Sequence, residues 1–203
     1  MNSAQIHINN DFTKFSKVFL KQNSILNLIS KNEEKYLYEK HIYDSLAIKL
    51  FFEKYNLKPE TLLDIGTGGG FPAVPIAIEY PQIRVTALDS IRKKITAIDN
   101  IKSELNISNL YPVCSRVENL DGTSFDIITS RAVAALDKLA EYAAPLLRKG
   151  GYFVAYKSKR AMDEIEEAKN VLKTNNLEYI ESIDYTLPLD EVYERKLLIF
   201  KAI

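Results

Sequence analysis

Residues 63–72 read Leu-Asp-Ile-Gly-Thr-Gly-Gly-Gly-Phe-Pro, and this stretch decides the fold of the chain. Four of the seven glycines of the 203-residue chain lie between Gly66 and Gly70, directly after an apolar run. Glycine is needed where the backbone turns sharply, takes a positive φ or lets a ligand touch the main chain. Pro72 and Pro75 follow, and a helix tolerates proline in its first turn because the N–H groups there have no intrahelical partners. The stretch therefore predicts a strand, a tight turn and a helix.

Around this turn, short β-branched runs alternate with segments of helical spacing. Such alternation is typical of a mostly parallel sheet that is covered by helices on both faces. The last two predicted strands are joined without a clear helix, so we expect them to pair antiparallel at one edge. The predicted strands cover residues 62–65, 84–88, 110–115, 126–130, 152–156, 179–185 and 196–202, and the predicted helices cover 71–80, 92–105, 136–147 and 160–175.

The first quarter of the chain has a different pattern, because its apolar residues fall at helical spacing and it contains no glycine. We therefore predict a helical N-terminal cap over residues 1–58 and a doubly wound α/β domain over residues 59–203. The apolar positions are Phe12, Phe15, Val18, Phe19, Leu26 and Ile29 in a first run, and Tyr36, Leu37, Ile42, Leu46 and Leu50 in a second run that starts near Glu33.

The glycine turn allows three nucleotide-binding interpretations. A P-loop requires Gly-Lys-Ser/Thr, but here Gly70 is followed by Phe71. A dinucleotide site uses Gly-x-Gly-x-x-Gly, whereas Gly66, Gly68 and Gly70 are spaced by two, and Asp64 would repel a pyrophosphate. The same acid suits a cationic amino group, and a helix N-terminus suits a carboxylate. S-adenosylmethionine has both groups and no phosphate, so we predict it as the cofactor; a tight turn without a ligand is the alternative.

Two further polar positions follow the next strands. Asp89 comes after the predicted strand 84–88, where a carboxylate can accept both ribose hydroxyl protons. The alternative for Asp89 is an N-cap of the next helix, beside Ser90. One unit later, a backbone N–H and a carboxylate within Arg116-Val117-Glu118 could contact the adenine edge; a surface turn is the alternative.

Composition excludes several classes of protein. The 27 basic and 27 acidic residues balance, which argues against nonspecific coating of nucleic acid but allows a local basic patch. One cysteine, Cys114, excludes an internal disulfide, fits a reducing cytoplasm and is expected to be buried and inert. With only His7 and His41 besides, we expect no metal site. No apolar run reaches the length of about 18 residues that a membrane span needs.

With these residues in hand, the chain resembles the glucose-inhibited division protein B family, bacterial methyltransferases of guanine N7 in 16S ribosomal RNA. The resemblance extends from about residue 25 to residue 201. Besides the glycine motif, it is carried by Lys40-His41-Ile42-Tyr43-Asp44-Ser45-Leu46, Leu88-Asp89-Ser90, Ser115-Arg116-Val117-Glu118 and Ser130-Arg131-Ala132. The chain departs from the family pattern at Ile29, where threonine is usual, and at Ser158, where glycine is frequent.

The resemblance implies a class I S-adenosylmethionine methyltransferase with a Rossmann-like, seven-stranded sheet, and a monomeric cytoplasmic enzyme whose partner is 16S ribosomal RNA or the small ribosomal subunit. It implies cofactor contacts at Gly66, Phe71, Val117, Glu118 and Arg131. Positioning candidates are Arg131, His41 and Asp44, with an ordinary surface ion pair as the alternative for each. Two rival functions stay open: a methyltransferase of a small molecule or protein, and a non-catalytic ribosome-assembly factor.

RNA contacts are predicted from basic residues near strand ends. Three clusters lie at residues 92–94, 157–160 and 195–196, although solvated helix ends would explain each of them separately. The RNA-binding candidates are Arg116, Lys157, Lys159, Arg160 and Arg195. No general base is required, because the N7 lone pair lies in the ring plane and is unprotonated at neutral pH. Catalysis would then consist of positioning, which can recover roughly 7–11 kcal/mol of barrier.

Overall fold

A computed structural model describes residues 6–120, 122–158 and 161–203, and a seven-stranded sheet forms its centre. The strand order is β3-β2-β1-β4-β5-β7-β6; the first five strands are parallel, and β7 runs antiparallel to both of its neighbours. The predicted sheet and the antiparallel pairing of the last two strands are confirmed. The strands are β1 Thr61–Ile65, β2 Arg84–Asp89, β3 Leu110–Cys114, β4 Phe125–Arg131, β5 Leu147–Lys157, β6 Leu177–Leu187 and β7 Tyr193–Ala202.

Four helices cover the sheet: α3 Ala73–Glu79, α4 Arg92–Leu105, α5 Leu136–Ala143 and α6 Ala161–Thr174. The predicted bounds of α4 are confirmed. Helix α5 ends earlier than predicted and continues as a 3₁₀ turn, Ala144–Leu146, because Pro145 has no N–H to extend the α-helical pattern. None of the helices in the described ranges is long and apolar enough to cross a membrane.

The N-terminal cap begins with α1, Thr13–Leu26, which ends at Asn27 in the left-handed conformation. The second predicted run is not one α-helix. It consists of a 3₁₀ segment, Lys31–Tyr36, a π-helical segment, Leu37–Tyr43, and the α-helix α2, Ile48–Lys54. Wide π turns are rare and often occur at functional sites. Here the π-helical segment carries the Lys-His-x-x-Asp motif.

One apolar core joins the cap to a face of the sheet. It contains cap residues such as Phe15 and Phe19 together with sheet residues such as Val154. The ring of Phe19 packs edge-on against that of Phe71, at 5.0 Å between centroids, so the cap contacts the glycine turn directly. A second core lies between the other sheet face and helices α5 and α6.

Cys114 is less buried than we expected. It lies at the end of β3, an edge strand with one open side, and its thiol is half-buried with Sγ 3.8 Å from the carbonyl oxygen of Ser90.

Candidate active site

The glycine turn lies at the carboxyl end of β1, and its glycines take positive φ angles of 68° at Gly66, 60° at Gly68 and 97° at Gly70. A side chain at Gly66 would meet a methyl group of Val133 at 2.5 Å, and one at Gly70 would meet Val74 at 2.6 Å. A Cβ at Gly68 would instead have only an ordinary contact, at 3.9 Å from the carbonyl oxygen of Gly66. The turn therefore needs glycine for packing at its two ends and leaves its middle accessible to a ligand.

Two cavities lie side by side at this edge of the sheet. The first, of about 380 Å³, is lined by the predicted residues Asp89, Val117 and Glu118. The second, of about 460 Å³, is lined by residues 27–30, which link α1 to the 3₁₀ segment, and by His41, Phe71 and Arg131. Residues that line both cavities are Gly66, Lys94 and Ala132. An elongated ligand can therefore extend from one cavity into the other over the glycine turn.

Asp89 contacts the glycine turn and the N-cap residue of α4, which is Ile91 and not Asp89 itself. Its predicted contact with the ribose stays a prediction. Its Oδ2 accepts a hydrogen bond from the N–H of Gly68 at 3.0 Å, and its Oδ1 accepts one from the N–H of Ile91 at 2.9 Å, at the start of α4. Lys94 Nζ lies 3.6 Å from the same carboxylate. Asp89 thus holds the glycine turn and the N-terminus of α4 together, and it lies on the wall of the first cavity.

The far end of the first cavity is formed by the 3₁₀ turn Val117–Asn119 and by Tyr142 of α5. The backbone N–H of Glu118 itself holds the pKa of that carboxyl below its usual range, and the hydroxyl of Tyr142 acts in the same direction. Sequence reasoning missed Tyr142 and Val133, because neither belongs to a recognisable motif.

Asp64 lies behind the turn and lines neither cavity. It is fully buried, and its Oδ1 accepts a hydrogen bond from the hydroxyl of Thr129 at 2.9 Å. Burial raises the pKa of Asp64 to about 7, although the Thr67 and Thr129 hydroxyls oppose the shift. Its predicted contact with the cofactor's amino group stays a prediction. In the structure, the carboxyl group is buried and hydrogen-bonded to Thr129.

Arg131, at the end of β4, is held by two acceptors from the π-helical segment and by Asp44, which directly follows that segment. Its Nη1 donates to Asp44 Oδ2 at 2.9 Å and to the carbonyl oxygen of Lys40 at 3.2 Å, and Nη2 lies 3.2 Å from His41 Nδ1. The guanidinium also lies over the ring of Phe71, 5.4 Å from its centroid. These contacts fix Arg131 on the wall of the second cavity.

Asp44 is the buried centre of this cluster. Besides Arg131, it accepts hydrogen bonds from Arg195 Nε at 3.1 Å, Arg195 Nη2 at 3.2 Å and the Tyr185 hydroxyl at 2.6 Å. Burial alone would raise the pKa of Asp44, but the two guanidinium groups and the Tyr185 hydroxyl lower it below the usual value. The surface ion pair that the sequence left open as an alternative is therefore excluded for Asp44.

The predicted RNA-contacting rim is corrected by these contacts. Arg195 points inward to Asp44, and the largely buried ammonium of Lys157 pairs with Glu164. Neither offers an unpaired charge at the surface. The other two candidates, Lys159 and Arg160, lie outside the described residues, while Arg116 is exposed beside the first cavity.

His41 is buried and neutral. Desolvation, followed by the charge of Arg131, lowers its pKa from 6.5 to about 4. Because Nδ1 faces a guanidinium donor, the proton of the neutral ring belongs on Nε2. That atom has no hydrogen-bond partner among the described residues and lies 4.0 Å from Glu33 Oε1.

The site fits a nucleoside that carries an amino acid. The first cavity offers a carboxylate for ribose hydroxyls and a pocket for a base, whereas the second offers the open glycine turn, Lys94 and Arg131 for a carboxylate. Within residues 6–120, 122–158 and 161–203, no three histidine, cysteine or acidic side chains come together as metal ligands. The fold and this site define a class I S-adenosylmethionine-dependent methyltransferase.

The comparison with known proteins narrows the class to a family. The sequence profile described as GidB, rRNA small subunit methyltransferase G, matches residues 8–185. Proteins named ribosomal RNA small subunit methyltransferase G from Staphylococcus aureus strains JH9 and Newman are each 35% identical over 192 residues, 93% of this chain and 79% of theirs. The chain belongs to this family.

Solved structures agree on the fold. The N-methyltransferase NodS from Bradyrhizobium japonicum WM9, in complex with S-adenosyl-l-homocysteine, superposes with a TM-score of 0.60 at 14% identity, covering 91% of this chain and 98% of that one. TYW2 of M. jannaschii, in complex with AdoMet, gives a TM-score of 0.57 at 17% identity, covering 77% of this chain and 81% of that one.

We expect Asp89→Asn to weaken binding of S-adenosylhomocysteine by about 1–3 kcal/mol, because a buried ligand hydroxyl would lose a charged acceptor. Calorimetric titration of the purified protein measures this change. The control is Asp99→Asn, an exposed acid on α4, which should leave the dissociation constant unchanged. If Asp89→Asn lowers the melting temperature but not the affinity, the carboxylate is only a helix start.

A second prediction concerns pH. The folded chain keeps His41 neutral down to about pH 4, whereas the unfolded chain protonates it near 6.5. The stability associated with the neutral ring is therefore present above pH 6.5 and is lost as the pH falls. By pH 4 the loss should reach about 3 kcal/mol.

Urea unfolding of the wild type and of His41→Asn, compared from pH 7 to pH 4, isolates this contribution. Asparagine keeps an acceptor near the position of Nδ1 but does not titrate, so the wild type should lose more stability than the variant. Parallel pH profiles would mean that His41 is protonated in the folded state.

Proposed function

We propose that this chain transfers the methyl group of S-adenosylmethionine to N7 of a guanine in small-subunit ribosomal RNA. The observation that carries the proposal is the second cavity, which opens beside the cofactor cavity and is walled by the cap as well as by the glycine turn. Family membership and the printed names of the relatives support small-subunit ribosomal RNA as the substrate. The resemblance noted in the sequence supports N7 as the acceptor atom.

The second cavity suits a single base that has left its helix. Its walls include the apolar side chains of Leu28, Ile29 and Phe71, which can contact the faces of a purine. Enzymes that modify a nucleobase reach it in this way, and RNA bases in loops and bulges are the easiest to extrude. A neighbouring ribose and phosphate would remain outside, on the protein surface.

When bound, the cofactor supplies an electrophilic methyl group on a sulfonium sulfur. The residues of the chain then need only to hold and orient, since N7 carries a free lone pair and has no proton to lose. His41 suits this division of work because its low pKa keeps it neutral and its Nδ1 is committed to Arg131. Arg131 is fixed by three acceptors, so its position on the cavity wall is set before any ligand arrives.

RNA phosphates would meet one part of the basic surface that the sequence suggested, namely the cluster at residues 92–94 together with Arg116. Arg92 and Lys93 are exposed at the start of α4, next to Lys94 on the cavity wall, and Arg116 is exposed beside the first cavity. Lys94 and Arg116 line the cavities, whereas Arg195 and Lys157 are paired with acidic side chains. We therefore assign phosphate contacts to Arg92, Lys93 and Arg116.

The function is tested with methyl-labelled S-adenosylmethionine and small ribosomal subunits from cells that lack this enzyme. We expect label in the RNA, recovered as 7-methylguanosine after nuclease digestion and chromatography. Label in a ribosomal protein, or in another nucleoside, would overturn the proposed acceptor. Absence of label with intact cofactor binding would favour an assembly factor without turnover.

The basic surface is tested with a triple variant, Arg92→Gln, Lys93→Gln and Arg116→Gln. Each lost phosphate contact should reduce the slope of log affinity against log salt by roughly 0.7–0.9. Binding to small subunits over a range of about 50 to 200 mM salt measures the slope. Binding of S-adenosylhomocysteine should not change.

The matched control for this variant removes charges elsewhere, in Lys169→Gln and Lys173→Gln. Both lysines are exposed on α6, which covers the opposite sheet face, so the salt slope should stay that of the wild type. Equal slopes for all three proteins would mean that Arg92, Lys93 and Arg116 are solvated surface charges.

A further inference from the structure

The second cavity contains a single acidic side chain among the described residues that line it. The charged groups on its wall are Lys31, Lys94, Arg131 and Glu33, while His41 is neutral. A cavity that received only anionic groups would not need this carboxylate. Glu33 therefore points to hydrogen-bond donors, or to positive charge, on the part of the substrate that enters here.

Glu33 lies near the start of the 3₁₀ segment that follows α1, and its side chain is 44% exposed, so a ligand can reach it. Its Oε2 accepts a hydrogen bond from the Ser30 hydroxyl at 3.2 Å. Its Oε1 is 4.0 Å from His41 Nε2, which is too long for a hydrogen bond. Oε1 is thus available for a ligand, and Oε2 accepts one hydrogen bond within the chain and can accept a second one.

The position of Glu33 relative to the cofactor cavity is equally informative. Gly66, Lys94 and Ala132 line both cavities, whereas Glu33 lines the second cavity only. A guanine that directs N7 toward the shared wall presents its N1–H and its 2-amino group at the opposite edge of the ring. Those two donors match the two oxygens of a carboxylate, and an adenine would present an acceptor there instead.

We propose that Glu33 binds the N1–H and 2-amino edge of the target guanine and so selects this base in the second cavity. This inference rests on the proposed function. The contact also favours the reaction itself. Methylation at N7 places positive charge on the purine and makes N1–H a stronger donor, so its hydrogen bond to a carboxylate strengthens as the methyl group is transferred.

A purely structural role is the competing explanation. Ser30 and Glu33 have the Ser-x-x-Glu spacing of a capping box, and the N–H of Glu33 donates to the carbonyl oxygen of Ser30 at 3.0 Å. In that case replacement of the carboxylate would lower stability, and all bases and ligands would be affected alike. The two explanations therefore differ in base selectivity.

The kinetic test is Glu33→Gln, assayed with small subunits from cells that lack the enzyme. Glutamine keeps the size and an acceptor oxygen but removes the charge and replaces one acceptor with a donor. We expect kcat/KM to fall about 10- to 100-fold, the effect of losing hydrogen bonds to a charged group, with part of the loss in kcat. The dissociation constant of S-adenosylhomocysteine and the melting temperature should stay at wild-type values.

Glu34→Gln is the matched control. Glu34 is the next residue of the same segment, but its Oε1 accepts from Asn23 Nδ2 at 2.7 Å and lies 3.1 Å from Lys31 Nζ, and the residue does not line the cavity. Its glutamine variant can keep the bond to Asn23 and should retain wild-type activity. Equal losses of activity in both variants would mean that Glu33 stabilises the 3₁₀ segment and does not bind the base.

A binding test reports on the base edge without turnover. Complexes of protein and S-adenosylhomocysteine are titrated with 7-methylguanosine and with 7-methylinosine, which lacks the 2-amino group, and followed by NMR. The wild type should bind 7-methylguanosine more tightly, and Glu33→Gln should bind both nucleosides equally. A Glu33→Gln protein that keeps the wild-type preference overturns the inference.

The two arms also separate the inference from the proposed function. If the wild type leaves the RNA of small subunits unlabelled but discriminates between the two nucleosides through Glu33, the proposed reaction fails and the base-binding role stands. If the wild type labels RNA and Glu33→Gln does so equally well, the reaction stands and the role of Glu33 fails.

Discussion

The carboxylate of Asp44 is the interaction on which the rest of the site depends. It is almost completely buried and accepts hydrogen bonds from Arg131, Arg195 and Tyr185. These partners come from β4, β7 and β6, so one charge ties the cap to the central strand and to the antiparallel pair at one edge of the sheet. Removing a single partner from a buried charge cluster typically costs about 3–5 kcal/mol, because the remaining charge stays buried and uncompensated. The buried cluster therefore fixes Arg131 on the wall of the second cavity.

This dependence explains which parts of the molecule could be predicted from the sequence. The sheet, α4 and the position of Asp89 at a strand end follow from local patterns: alternating strands and helices, and an acid directly after an apolar run. The positions of Arg195 and Lys157 do not. Asp44 and Arg195 are 151 residues apart in the chain, and a basic residue at a strand end gives the same local signal whether it faces solvent or a buried acid.

The sequence did not predict the π-helical segment, Leu37–Tyr43, for a related reason. Its apolar residues have ordinary helical spacing, so periodicity indicates one continuous helix. What distinguishes the segment is its contact with a distant strand: the carbonyl of Lys40 and the ring of His41 both meet Arg131. The sequence did not identify Glu33 or Tyr142 as site residues, because neither belongs to a motif that is typical of a binding site. Only the tertiary structure places them on cavity walls.

Burial also decides which charges the ligands meet. Burial shifts Asp64 and His41 toward their neutral forms, with pKa values of about 7 and about 4. Asp44 keeps its negative charge because it is paired with two arginines. The charged side chains left on the walls are Asp89, Arg116 and Glu118 in the first cavity, Lys31, Glu33 and Arg131 in the second, and Lys94 in both. Each cavity therefore offers a ligand both a carboxylate and cationic side chains. That arrangement suits S-adenosylmethionine, whose ribose hydroxyls can donate to a carboxylate and whose own carboxylate, at the far end of its methionine part, can accept from a cation. The proposed transfer to a base that becomes cationic would then depend on the placement of these charges, because N7 needs neither an acid nor a base.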